Sequence, residues 1–323
     1  MNSPLIFAYG FDKKGSGFEI KEESIFDQIK SNKLIWLHLD VDHEKTSSWL
    51  KKYFPNLEEF VVEALLAEET RPRMMQIKDD ILLIMRGVNL NENSTPEDMV
   101  SIRLWVNKNY IISTRKRKLK AISDIQEQIN HKKSPKNAGD FANTLITKLF
   151  KRIEPTLSNL DERIDDIEEK IIDFANSNMR EEIANIRKQS IIFRRYMAPQ
   201  RDAISQLSSA NVSWLDQKQK QQIQESHNHI VRYIEDLDAI RERSQIIKDE
   251  LSNILADKLN KNMYFLSIIS AIFLPLGFLT GLLGVNLAGI PGANYNLAFW
   301  LFSGILLLII TIQIFIFKKF KWF

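Results

Sequence analysis

The residues with the clearest capacity for chemistry form one stripe near the C-terminal end. Stepping back from Gly281 by four and three residues in turn gives Gly281, Gly277, Leu274, Ser270, Ser267, Met263, Asn260, Ala256, Asn253 and Asp249. On a helix this 3.5-residue register keeps a single seam turned toward its partners. A coiled-coil core would be leucine and isoleucine, but this seam is mostly small or polar, and the bulky aliphatics sit beside it. Several copies of such a helix around an axis would leave a narrow, partly polar lumen. The competing interpretation is that Gly277 and Gly281 form a small-xxx-small packing face while Ser267 and Ser270 bond locally to backbone. The polar pattern continues to Asn253 and Asp249, which favours the lumen.

The element carrying the seam must leave water and enter lipid. Residues 262–284 are apolar enough to span a bilayer, for which ~20 residues suffice, and they continue a helix expected to run from Arg241 or earlier. A second span follows at 297–317, and no Asp, Glu, Lys, Arg or His occurs between Asn262 and Phe317. The connecting loop, 285–296, is short, so the spans should pair antiparallel. Lys258 and Lys261 precede the first span, and Lys318, Lys319 and Lys321 follow the second. By the positive-inside rule both termini face the cytoplasm, the loop faces outward, and 318–323 is a basic cytoplasmic tail. The short apolar run at 5–9 does not form a signal peptide, so insertion is assigned to the C-terminal spans.

Composition narrows the remaining classes. A chain of 323 residues holds a sizeable core besides its spans. Its net charge of +3 gives no ground for a nucleic-acid partner, and the absence of cysteine excludes disulfides and thiolate metal sites. Residues 1–135 read as a mixed α/β domain. Strand-like runs at 5–9, 34–39, 81–85, 100–106 and 110–114 alternate with helical patterns at 22–31, 46–53 and 57–67. The basic run 115–120 is expected to be a solvated helix start. Residues 136–261 are expected to be a helical hairpin, broken near Asn176-Ser177-Asn178, that feeds the long pore helix. The fold class is therefore α+β: an N-terminal cytoplasmic α/β domain, a helical bundle and two C-terminal membrane helices.

The remaining groups of polar residues have simpler readings. Asp161, Glu162, Asp165, Asp166, Glu168 and Glu169 crowd one stretch. They form either a solvated helix face or a weak divalent-cation site between subunits. His227 and His229 are two residues apart, a helical spacing that turns them to different faces and argues against a zinc site. There is no glycine-rich phosphate loop, nucleophile motif or cluster of metal ligands, so an enzyme is not expected.

The first span ends in Gly284-Val285-Asn286, followed by a short loop and a second span ending in lysines. This arrangement resembles the CorA superfamily of divalent-cation transporters, whose signature is usually Gly-Met-Asn. The string from Phe273 to Asn286, followed by Gly289-Ile290-Pro291-Gly292, looks more like the ZntB-type zinc transporters of that superfamily. The segments at 86–91, 96–101 and 198–202 agree with it. The resemblance implies a homopentamer in the inner membrane with a cytoplasmic funnel. The first span would line the pore and the second surround it. Asn286 would sit at the outer mouth, with Asp249 and Met263 as rings lower down, and Asn286 and Asp249 as the metal-contacting residues.

Physical chemistry gives each part of that arrangement a role. Five Asn286 amide oxygens at helix C-termini would form a neutral ring attractive to cations and suited to a hydrated ion. Gly284 lets the chain leave the helix, and Val285 holds Asn286 in place. Leu274 would make an apolar constriction that gates by dewetting, and Pro275 a bend beside it. The outer loop has no acidic residue, and the seam has no His or Cys for dehydrated zinc. Its side chains suit Zn²⁺, Mg²⁺, Co²⁺, Ni²⁺ or Cd²⁺ as transported substrate, with no cofactor.

ZntB-type proteins are thought to couple uptake to protons, but the membrane region holds no titratable relay, which leaves water, Asp249 or Asp257. Three functions are therefore open: zinc uptake, a Mg²⁺/Co²⁺ channel gated by cytoplasmic cation, and a membrane-anchored oligomeric sensor or scaffold.

Overall fold

A computed structural model describes residues 3–12, 15–31, 33–285, 290, 292 and 295–320. Seven strands form one sheet: β1 (Leu5–Phe11), β2 (Gly17–Glu19), β3 (Ile35–Asp40), β4 (Arg73–Ile77), β5 (Asp80–Gly87), β6 (Val100–Val106) and β7 (Tyr110–Arg115). Their order is β2-β1-β3-β7-β6-β5-β4, and every neighbouring pair is antiparallel except β3 with β7.

Alternation along the strands sends residues to two buried faces. Ile35, Leu37 and Leu39 of β3 join Leu82, Trp105 and Ile112 in a core closed by α2 (Thr46–Tyr53) and α3 (Glu59–Leu66), through Trp49, Leu50, Val61 and Leu65. A short 3-10 turn and α1 (Ile25–Lys30) also pack here, through Ile25. On the other face Trp36 meets Phe141 of α5 (Ala138–Phe174) edge-on, with ring centres 4.8 Å apart. The sheet is therefore sandwiched, which explains why its central strands are almost wholly apolar.

The expected strands and helices are present with shifted ends, and two strands go beyond expectation. β2 has only three residues, and β4 reads Arg-Met-Met-Gln-Ile, without the β-branched alternation that signals a strand. The basic run 115–120 straddles the end of β7 and the start of α4 (Lys120–Asn130).

Three long helices follow: α5, α6 (Ser177–Ser208) and α7 (Gln217–Gly284). Asn176 caps α6 by accepting from the backbone N–H groups of Asn178 and Met179, so the break falls at the expected asparagines. Apolar residues at three- and four-residue spacing bury the facing sides of α5 and α6. Ile223, Ile230, Ile234, Leu237 and Ile240 do the same for the first half of α7. The start of α7 is tied to that of α5 by Gln219, whose amide donates to Asn137 at 2.8 Å and Asp140 at 2.7 Å. Gly139 makes room for it: a Cβ there would lie 2.1 Å from Gln219 Oε1.

The chain forms two compact units, Met1–Asp249 and Glu250–Phe323. The second holds the rest of α7 and α8 (Ala298–Lys319), both long and apolar enough to cross a membrane.

Candidate functional site

In the second unit the seam falls on one side of α7. Asn253, Ala256, Asn260, Met263, Ser267, Ser270, Leu274, Gly277 and Gly281 are all exposed, Leu274 by 71%. Among the described residues, and apart from the helix's own backbone and chain neighbours, no atom lies within 4 Å of a Cβ built on Gly277 or Gly281, so no described residue of α8 packs against these glycines. Ser267 donates its hydroxyl to Met263 O at 2.9 Å, the local bonding that a lone membrane helix favours, whereas Ser270 has no partner among the described residues.

The side of α7 that is covered lies elsewhere. Ile268 is buried, and Ala271, Ile272, Leu276 and Leu279 are half-buried. At 100° per residue, the centre of this set lies ~145° around the helix from the centre of the seam. α8 reaches it through Gln313, whose amide donates to Ala271 O at 3.2 Å. The spans therefore pair through one face of α7 and leave the rest of the helix uncovered, the small and polar seam together with flanking Phe265, Phe273 and Phe278.

Pro275 explains why that bond is needed. Its ring nitrogen has no hydrogen, so the carbonyl four residues earlier, that of Ala271, loses its helical donor. Gln313 supplies a replacement. Gln313 stands outside the seam and the motif; its signal in the sequence is an amide in a largely apolar span that follows a span containing proline.

In the first unit Asp249 is exposed, and both its carboxylate oxygens accept from the Gln245 amide at 3.0 Å. Gly284 is the last residue of α7, and Val285 follows it, 45% exposed. Asn286, the expected pore mouth, lies outside the described residues.

Four of the six carboxylates in the acidic stretch of α5 are paired with cations, Asp166 with Lys170 and the other three with Arg243. Arg243 of α7 bonds Asp161 at 3.3 Å, Asp165 at 2.5 Å and Glu168. Among the described residues, no group of three or more His, Cys, Asp or Glu is placed to hold a metal ion.

Comparison with known proteins places these features in a family. The family model described as CorA-like Mg²⁺ transporter protein matches residues 31–319. The divalent cation transporter CmaX of Pseudomonas aeruginosa is 35% identical over 322 residues, covering 98% of this chain and 96% of that protein. The zinc transport protein ZntB of Yersinia enterocolitica is 32% identical over 320 residues, covering 99% and 96%. The solved structure of full-length CmaX superposes with a TM-score of 0.85 at 34% identity, covering 98% of both chains.

Proposed function

The chain belongs to the CorA-like Mg²⁺ transporter family and is a divalent-cation transporter of that type; from this premise we propose that it takes up Zn²⁺ through the axis of a homopentamer. The observation that carries this reading is the uncovered seam from Asn253 to Gly281, on the far side of α7 from the face that α8 covers. Within the span, a helix in lipid gains nothing by exposing Ser270, Gly277 and Gly281, whereas a ring of such helices would turn them to shared water or to one another.

Two apolar helices and transporter relatives support an inner-membrane protein with two spans. Residues 1–135 and 136–261 are then cytoplasmic, 262–284 line the pore, 297–317 surround it, and both termini face the cytoplasm. Asn286 forms the outer ring, with Gly284 and Val285 setting its exit from the helix. Leu274 constricts the pore, Pro275 lets it bend, and Asp249 forms a lower cation-attracting ring. Zinc as the substrate rests on the ZntB relatives. Proton coupling would run through water or a carboxylate below the span.

One observation favours Mg²⁺ or Co²⁺ instead. Apart from the Met263 thioether, the side-chain ligands of the seam are oxygens, which suit hard or hydrated cations better than dehydrated zinc.

The test is metal uptake into proteoliposomes, comparing Zn²⁺ with Mg²⁺, with and without a pH gradient. Zinc flux that Asn286→Ala abolishes, while the oligomer stays intact, is the expected result. Magnesium flux without zinc flux selects the second reading, and indifference to the gradient removes proton coupling. Unchanged flux in the variant removes Asn286 from the pathway.

A further inference from the structure

The first unit holds a cavity of about 730 Å³ that a pore along α7 does not use. Its lining brings together four arginines, Arg71, Arg86, Arg117 and Arg195, with only two carboxylates, Glu69 and Asp98, for a formal charge of 4 − 2 = +2. These residues come from distant parts of the chain: the segment between α3 and β4, strand β5, the turns on either side of the β6–β7 hairpin, and α6.

Arg86 is the fixed centre of the group. Its Nε and one terminal nitrogen donate to Thr70 O at 3.0 and 2.8 Å, and the other terminal nitrogen donates to Met99 O at 2.8 Å. Its guanidinium carbon lies 4.2 Å from the centre of the Tyr196 ring. The Arg195 guanidinium lies 4.8 Å from the same ring and donates to its hydroxyl at 2.9 Å, which leaves the phenolic hydrogen free to donate onward. Arg117 pairs with Asp98, while Arg71 is exposed and has no partner among the described residues.

Two further observations point to a missing ligand. Thr70 also lines the cavity; it is only 8% exposed, and its hydroxyl, shielded from water, has no hydrogen-bond partner among the described residues. A buried hydroxyl without a partner costs free energy, so such groups ordinarily have one. The guanidinium charges also oppose one another. Burial lowers the pKa of Arg86, and the nearby charges of Arg117 and Arg195 lower it further, while the Tyr196 phenol and Asp98 act the other way. An anion in the cavity would relieve the charge repulsion, and a change of Thr70 rotamer would let its hydroxyl donate to that anion.

We propose that this cavity binds a phosphate group, either free or as the terminal group of a nucleotide. A phosphate dianion balances the formal charge of the lining. It offers several acceptor oxygens to guanidinium forks that match its geometry; Tyr196 supplies a hydroxyl donor, and Thr70 a second once its side chain turns toward the cavity. The volume falls within the range of small-molecule sites and admits a mononucleotide.

The experiment is calorimetric titration of the purified full-length chain in detergent, in metal-free buffer of low ionic strength, with sodium phosphate and ATP as separate probes. Saturable binding is expected for at least one probe. Arg71→Gln, at an exposed residue with no contact to lose, should weaken it about tenfold, and R71Q/R195Q further. The control K51Q/K52Q removes two surface charges from α2 and should stay within about twofold of the parent, because screened distant charges contribute little. Tighter binding of phosphate than ATP assigns the site to the free ion, and the reverse assigns it to a nucleotide. The proposal is overturned if neither probe saturates, as when carboxylates of a second copy cover the cavity, or if R71Q/R195Q and K51Q/K52Q weaken binding equally. Because no divalent cation is present, the outcome does not depend on the transport reading.

Discussion

The side-chain amide of Gln313 donates to the main-chain carbonyl of Ala271, four residues before Pro275. An α-helical carbonyl at this position would receive the N–H of residue 275, and proline has none. One span thus repairs the backbone of the other. Without that donor the carbonyl would be left unpaired in an environment that offers no water.

Gln313→Leu should therefore destabilise the chain in detergent by about 1 kcal/mol, the scale of interhelical hydrogen bonds in membranes. Pro275→Ala returns the missing N–H, so in that background Gln313→Leu should cost close to nothing. A double-mutant cycle on thermal unfolding measures the difference. An equal cost in both backgrounds would show that Gln313 acts by packing and not through Ala271.

Arg243 pairs with three of the six carboxylates in the acidic stretch on α5. It lies within reach of Asp161, Asp165 and Glu168, and all four side chains are partly solvated. Ion pairs this exposed are weak, so Arg243→Gln should cost about 1 kcal/mol or less, and that cost should shrink in high salt. A divalent cation binding to this face would have to displace the guanidinium. Magnesium should therefore stabilise the variant more than the parent chain in a thermal-shift titration.

The sequence showed some of these features more readily than others. Central strands such as β6 announce themselves because both faces are buried and every residue but one or two is apolar or β-branched. β4 is an edge strand with mostly exposed side chains, so packing places no such demand on it and it leaves no pattern. The seam on α7 was legible from spacing alone, since helical register is local. Arg243 was not, because its partners lie 75–82 residues away and only tertiary packing brings them together. The same holds for Gln313, and for four arginines that look unremarkable in their own segments.

His38 ties stability to pH. It is fully buried on β3 and stacks on Phe7 with ring centres 4.7 Å apart; its Nδ1 lies 2.7 Å from the Ser113 hydroxyl, and its Nε2 has no partner among the described residues. Burial, with a smaller contribution from the Arg115 charge, holds its pKa well below the ordinary 6.5. The unfolded chain therefore takes up this proton first. Stability is fully present above about pH 6.5 and falls as the pH drops below it, by up to about 1.4 kcal/mol per pH unit. Urea unfolding between pH 7.5 and 5.5, followed by tryptophan fluorescence, should show this slope, and His38→Gln should flatten it. A slope unchanged in the variant would assign the pH dependence to other groups.

Asp79 fastens the turn between β4 and β5 to the segment that enters α7. Its carboxylate accepts the Ser213 backbone N–H at 2.6 Å and the Ser213 hydroxyl at 2.5 Å, and its main-chain carbonyl accepts Trp214 Nε1 at 2.7 Å. Lys78, at φ +56°, turns the chain to make this possible. The Ser213 hydroxyl bond, followed by its backbone bond, holds the Asp79 pKa below the ordinary 3.8. The lowered value means that the contribution is present above pH 3.8 and is lost as the pH falls through the folded-state value. Asp79→Asn keeps the shape but weakens both bonds, and should cost about 1 kcal/mol near neutral pH. The gap from the parent chain should close as the solution is acidified past the point where Asp79 takes up its proton. Hydrogen exchange provides the local readout: amides at 213–217 should exchange faster in the variant at pH 7, while those in the centre of β6 should be unaffected. Uniformly faster exchange would mean that Asp79 stabilises the domain as a whole and does not specifically anchor the start of α7.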